Sequence, residues 1–263
     1  MLAIRLPNAR SSGGTYNDAY PIRIVLHVIE GSANPSMIEG HAYPPHWWYN
    51  PSTRTRYETV PLNRSAFALE RPAWSGVETN KARAFQVEIE GRSAETPDWP
   101  LEWLDAIAED VIVPLCQEAD RMGSPIDLSA VPAPGVIGGS ASIYGPQRMT
   151  EAEWRAFRGI CGHRHVPNNE HWDPGALDVK RIAQHAAIII GGMLVDAGLA
   201  GGGDEMPTLL CNMGGTIFGS FAGVWRPLTG PEYVQYNGKV PTVAHNPQEW
   251  QTLKDWGRVI PAS

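Results

Sequence analysis

Apolar runs alternate with polar, Gly/Pro-rich stretches along this chain. Residues 22–29, Ile-Arg-Ile-Val-Leu-His-Val-Ile, are β-branched and almost continuously apolar, between Pro21 and Glu30-Gly31. That pattern predicts a central strand buried on both faces. His27 interrupts it near its end. It reads either as a core histidine with a satisfied hydrogen bond or as a metal ligand whose partners lie elsewhere. Residues 84–90 alternate cleanly: Phe85, Val87 and Ile89 go to one face, Gln86, Glu88 and Glu90 to the other. This predicts a strand, either at a sheet edge with a solvated charged face or with one glutamate at the floor of a cleft as a general base. A short strand is expected at residues 57–60.

Helical spacing appears over residues 99–122, where Leu101, Leu104, Ile107, Ala108, Val111 and Leu115 recur at intervals of three and four. Pro114 should kink that helix or split it. Thr150-Glu151-Ala152-Glu153 is a capping box and predicts a short helix to about residue 158. Residues 178–197 carry Val179, Ile182, Ala186, Ile189, Ile190 and Leu194 on one side, a last long helix ending at Gly198. Between these elements, residues 31–64 and 131–148 are rich in Pro, Gly, Ser and Asn and read as loops. Within the first lies Pro44-Pro45-His46-Trp47-Trp48-Tyr49, an aromatic cluster that either lines a groove or caps the core.

The pattern divides the chain into a polar lead-in at 1–20, a main α/β domain at 21–199, a Gly-rich linker at 200–206 and a small C-terminal α/β module at 207–263. In that module residues 216–228 resemble a hairpin, with Gly219 and Gly223 as turn candidates, and Thr229-Gly230-Pro231-Glu232 and Asn246-Pro247 are helix-start signatures.

Composition narrows the function. The chain has 263 residues, 43% hydrophobic and 19% charged, enough for a sizeable core. Its net charge of −7 argues against a nucleic-acid protein. Cys116, Cys161 and Cys211 are too few and too scattered for a disulfide framework. The longest apolar run, residues 186–195, is ten residues, too short to cross a bilayer. The N-terminus lacks the charged-then-apolar run of a signal peptide. A soluble chain made in a cytoplasm is expected, without membrane insertion, and as a monomer.

Candidate chemistry concentrates in residues 162–175, Gly-His-Arg-His-Val-Pro-Asn-Asn-Glu-His-Trp-Asp-Pro-Gly. A catalytic zinc site takes three protein ligands from His, Asp/Glu or Cys and leaves one position open. Asp173, fixed by the Asp173-Pro174-Gly175 turn, and one histidine of this loop suit such a site, with His27 as a distant third ligand. Spacing alone does not choose among His163, His165 and His171. Cys161, next to the loop, reads as a small buried thiol.

Residues 22–198 resemble the type 2 N-acetylmuramoyl-L-alanine amidase family, zinc enzymes that include phage endolysins and share a fold with peptidoglycan recognition proteins. The likeness rests on Ile24-Val25-Leu26-His27, loosely on Pro45-His46-Trp47-Trp48-Tyr49, on Phe85-Gln86-Val87-Glu88-Ile89-Glu90-Gly91, and on Gly162-His163-Arg164-His165 with Asp173-Pro174-Gly175. The resemblance implies a central mixed β-sheet flanked by helices. It implies His27, His163 and Asp173 as ligands of Zn2+ and Glu88 as the catalytic carboxylate, with Glu90 as fallback. It implies peptidoglycan as the partner, with His46, Trp47 and Trp48 near substrate. Two departures stand out: His171 occupies the position of a family Lys that steadies the oxyanion, and Gln86-Val87 replaces a strand glycine. The implied reaction is hydrolysis of the amide between the lactyl group of N-acetylmuramic acid and L-alanine. The implied role is that of an actinobacteriophage endolysin, held in the host cytoplasm until a holin releases it to the wall. A muropeptide-recycling amidase and a non-catalytic peptidoglycan-binding protein are the alternatives.

Overall fold

The computed structural model describes residues 1–6, 12–70, 75–133 and 147–196, together with four strand backbones between 209 and 244. The chain falls into two compact units, Met1–Ala183 and Gln184–Ser263. The expected linker at 200–206 and the two helix-start signatures near 229 and 246 lie outside the described residues. No helix among the described residues is long and apolar enough to cross a membrane.

The first unit is built on a mixed six-stranded sheet with helices on both faces. Its strands are β1 (Leu2–Arg5), β2 (Arg23–Val28), β3 (Trp47–Asn50), β4 (Thr55–Glu58), β5 (Ala84–Ile89) and β6 (Ile160–Gly162), in the spatial order β1-β4-β3-β5-β2-β6. Only the β3–β4 pair is antiparallel. Strand β2 is buried at every position, as its apolar run requires. Strand β5 lies between β3 and β2 and is not an edge: Gln86 is fully buried, so the polar half of its alternation faces the interior. The lead-in is also more ordered than its composition suggests, because Leu2–Arg5 pairs in parallel with β4. A four-residue edge strand with an arginine carries too little pattern to be read from sequence.

The helices are α1 (Pro35–Gly40), α2 (Leu101–Ile107), α3 (Val113–Arg121), α4 (Glu151–Ala156) and α5 (Val179–Asp196), the last crossing the boundary between the units. Thr150 caps α4: its hydroxyl accepts from Glu153 N at 3.2 Å and Glu153 Oε2 accepts from Thr150 N at 2.7 Å. Trp154 of α4 packs with Val25, Ala84 and Cys161 under one sheet face.

The expected division falls just before Pro114, which sits in the first turn of α3. A π turn at Ala108–Ile112 joins α2 to α3, with Val113 N–H donating to Ala108 O. A proline cannot donate, so the Asp110 carbonyl loses its helical partner. Arg56 Nη1 supplies the missing bond at 2.8 Å. The Asp110 carboxylate accepts from Tyr49 Oη, Arg54 Nε and Arg54 Nη2, each at 2.7 Å, which ties this helix to the face carrying Tyr49. Burial alone would raise the Asp110 carboxyl, but the Arg54 and Tyr49 bonds hold it below the usual carboxylate range. A depressed folded pKa gives stability that is present above the unfolded value of about 3.9 and is lost as pH falls through the folded one. Asp110→Asn is therefore expected to cost about 2 kcal/mol at pH 7 and progressively less toward pH 2. Urea unfolding at the two pH values checks this.

In the second unit, β7 (Leu209–Met213), β8 (Thr216–Phe221), β9 (Val224–Pro227) and β10 (Thr242–Ala244) form a sheet in the order β10-β7-β8-β9. The expected hairpin is β8–β9, but Gly219 pairs with Arg226 inside it rather than turning.

Candidate metal centre

The parallel pairing of β2, β5 and β6 brings their C-terminal ends together, where α/β folds gather functional groups. Register places Trp48, Glu88 and His27 in one row across β3, β5 and β2. His163 follows directly after β6. Asp173 returns through a loop held by its own backbone: Arg164 N–H donates to Asp173 O at 2.9 Å, and Gly175 N–H to Trp172 O at 3.2 Å. The Asp173–Pro174 peptide is cis, and Gly175 has φ +66°. A Cβ at Gly175 would stand 2.1 Å from Ser93 O, so only glycine fits that turn. Arg148 braces the same loop, with Nη1 on Arg164 O at 2.9 Å and Nη2 on His171 O at 2.7 Å.

Three side chains converge. His163 Nδ1 lies 3.3 Å from Asp173 Oδ1, and His27 Nδ1 lies 3.6 Å from Asp173 Oδ2. All three residues are buried, and one ligand atom from each lies within 4.8 Å of the others. Bonds of about 2.0–2.1 Å in a tetrahedron require ligand atoms about 3.3 Å apart, so the set fits a zinc ion. The donor chemistry, two imidazoles and one carboxylate, suits zinc among the first-row metals. His27 Nε2 is buried with no hydrogen-bond partner among the described residues.

Glu88 sits beside this set, Oε1 at 3.8 Å from His27 Nδ1. Burial, then the charge of Asp173, pushes its carboxyl well above the usual range. For Asp173 burial acts upward as well, but His163, His27 and His171 draw the carboxyl down to about 2. Burial and the neighbouring His163 lower the His27 imidazole well below its ordinary value. Two carboxyl groups in one site are thus driven apart, the arrangement that separates a fixed charge from a proton carrier.

The other expected residues are distributed differently. His171 is half-exposed, its ring stacked on His163 at 4.3 Å, with Nδ1 at 3.7 Å from Asp173 Oδ1 and Nε2 at 3.5 Å from Glu70 Oε1. Glu90 lies past the end of β5, where its Oε2 accepts from Asn50 Nδ2 at 2.7 Å, and it does not line the cavity that holds Glu88. His165 is buried and structural: its Nδ1 accepts from Gly162 N at 3.0 Å and its Nε2 meets Ala133 O at 3.1 Å. Of the aromatic cluster, Trp48 alone lines the cavity in front of the ligands. Strand alternation turns Trp47 to the other face, under the Arg56 guanidinium at 3.9 Å. His46 is fully buried, bonded to Tyr16 Oη, Arg64 O and Gln86 N, and its expected contact with substrate is corrected to a structural one. That cavity measures about 950 Å³, and Tyr43, Phe67, Glu70 and Trp172 also line it.

Sequence reasoning missed Asn169, which is fully buried with Oδ1 at 2.8 Å from His163 Nε2. Its place in the loop, six residues after His163, was the available signal. Packing requires glycine at 162, where a Cβ would stand 2.2 Å from Pro174 Cδ. Gly162→Ala is expected to push Pro174, and with it Asp173, out of place. It should cost about 1–3 kcal/mol and weaken zinc affinity, read by thermal unfolding and chelator competition.

No protein-family model matches the chain, and no curated protein matches it. Among solved structures it is similar to N-acetylmuramoyl-L-alanine amidase LysC from Clostridium intestinale URNW, at 16% identity and TM-score 0.37, over 68% of this chain and 93% of that one. It is similar to the endolysine N-acetylmuramoyl-L-alanine amidase LysCS from the same organism, at 16% identity and TM-score 0.38, over 68% and 91%. The Staphylococcus aureus hydrolase AmiA, in complex with its ligand, matches at 13% identity and TM-score 0.39, over 66% and 73%. Identity at this level assigns no residue's role in this chain.

Proposed function

We propose that this chain is a zinc-dependent N-acetylmuramoyl-L-alanine amidase that cleaves peptidoglycan between the lactyl group of N-acetylmuramic acid and L-alanine. The observation that carries this reading is the convergence of His27, His163 and Asp173 beside Glu88 at the floor of an open cavity. The order of the four sequence motifs supports the choice of bond. His27, His163 and Asp173 hold the ion. When bound, zinc supplies Lewis acidity toward the scissile carbonyl and makes water a better acid.

The chain's own groups do the rest. Glu88 takes a proton from the attacking water as the new C–O bond forms, then delivers it to the nitrogen as the C–N bond breaks. The lactyl carboxylate and the free amine of L-alanine are the products. His171, at the cavity edge, donates to the developing oxyanion in the place of the family's lysine; one such donor is worth about 2.7–4 kcal/mol. Trp48 and Tyr43 give apolar surface against which a sugar or peptide packs. The biological role is that of a phage endolysin, held in the host cytoplasm and acting on the wall at lysis.

Digestion of purified peptidoglycan with and without chelator, followed by mass analysis, tests bond and metal together. The expected result is free stem peptide and unsubstituted lactyl groups, lost with chelator and restored by zinc. Binding to the wall without cleavage would overturn the enzyme reading.

A further inference from the structure

Residues 67–70 form one wall of the cavity and belong to no strand. Even so, each of their backbone N–H groups has a partner. Phe67 N donates to Pro44 O at 3.1 Å. The next three go to side-chain amide oxygens: Ala68 N to Gln86 Oε1 at 2.8 Å, Leu69 N to Asn80 Oδ1 at 3.1 Å and Glu70 N to Asn169 Oδ1 at 2.7 Å. Three carboxamides thus replace the missing neighbouring strand. Gln86, which stands where the amidase family has glycine, is the first of them.

Asn169 also reaches the metal centre, and its orientation follows from donor and acceptor accounting. A backbone N–H can only donate and a backbone carbonyl can only accept. Asn169 Oδ1 therefore faces Glu70 N–H, while Asn169 Nδ2 donates to Pro167 O at 2.9 Å and Glu70 O at 3.2 Å. With Oδ1 fixed as an acceptor, His163 Nε2, 2.8 Å away, has to be the donor. A neutral imidazole then carries its lone pair on Nδ1, the atom 3.3 Å from Asp173 Oδ1. Two acceptors at that separation repel unless a metal ion or a second imidazole proton lies between them.

We propose that Asn169 is a positioning residue. It locks His163 in the Nε2–H tautomer with Nδ1 presented to the metal, and joins that ligand to the cavity wall through Glu70 N–H. The consequence for the metal rests on the zinc reading above; the tautomer lock does not. Partners of this kind typically change metal affinity or activity by about 10–100-fold.

The test uses the whole chain with 15N-labelled histidine. In the metal-free parent, two-bond 15N–1H correlations should show His163 as the Nε2–H tautomer, and zinc affinity is read by chelator competition. Asn169→Ala should mix the tautomers and weaken zinc about 10–100-fold. Asn169→Asp keeps the acceptor toward His163 and Glu70 N–H but sets a carboxylate oxygen against Pro167 O and Glu70 O, so it should keep the tautomer at a cost in thermal stability. Gln86→Ala loosens the same wall without touching a ligand and should leave zinc affinity unchanged. An Nδ1–H tautomer in the parent would overturn the proposal without any variant. Equal affinity losses in Asn169→Ala and Gln86→Ala would reduce Asn169 to packing and overturn it as well. A parent with the Nε2–H tautomer that binds no zinc would remove the metal reading and leave the lock standing.

Discussion

Asp173→Ala is expected to lower zinc affinity by more than about 100-fold and to reduce peptidoglycan hydrolysis to background. Loss of an outer partner of a ligand alone costs about 10–100-fold, so loss of a ligand sets a higher floor. The fold should survive, because the loop is held by groups the substitution leaves in place. Arg164 N–H still donates to the carbonyl of residue 173, and Arg148 still braces Arg164 O and His171 O. Asp173 contributes through the ion and through its own buried contacts, among them the Val28 N–H at 3.4 Å. A parent with zinc at 100 times its dissociation constant gains about 2.7 kcal/mol. The variant should show none of that gain, while its metal-free form melts below the parent's by what the buried Val28 N–H and His163 contacts of Asp173 contribute, about 1–3 kcal/mol. Thermal unfolding with and without zinc separates the two effects. Undiminished lysis by the metal-free variant would sink the mechanism.

Two members of the converging set were legible because each sits beside a strong local signal. His27 closes an apolar strand run, and Asp173 begins a Pro-Gly turn. Spacing did not resolve the choice among His163, His165 and His171; in the fold His163 and His171 face Asp173 and His165 does not. His163 and His165 flank one short turn, yet His163 Nδ1 meets Asp173 while His165 Nδ1 turns back to Gly162 N. Trp47 and Trp48 differ in the same way, since adjacent strand residues face opposite sides and the strand was not foreseen. The amide ladder of Gln86, Asn80 and Asn169 was invisible for another reason. A side-chain amide bonded to a backbone 11, 18 or 99 residues away leaves no periodicity. Pro114 sits in a first helical turn, where proline is tolerated, and Arg56 donates to the Asp110 carbonyl beside it.

Glu88→Gln should separate metal binding from proton transfer. Glutamine fills the same space, and His27, His163 and Asp173 keep the ligand set intact, so zinc affinity should stay within a few fold of the parent's. A carboxamide neither takes a proton from water nor delivers one to an amine, and turnover should fall by about 10²–10⁴-fold. Glu90 is the control for the alternation that made both glutamates candidates. It shares the polar face of β5 by sequence, but it lies beyond Ile89 and its carboxylate is bonded to Asn50. Glu90→Gln should therefore leave turnover near the parent's. Single-turnover cleavage of solubilised peptidoglycan by zinc-loaded parent and variants reads all three. Unchanged turnover in Glu88→Gln, with loss in Glu90→Gln, would move the proton carrier to Glu90 and require β5 to end differently in the substrate complex.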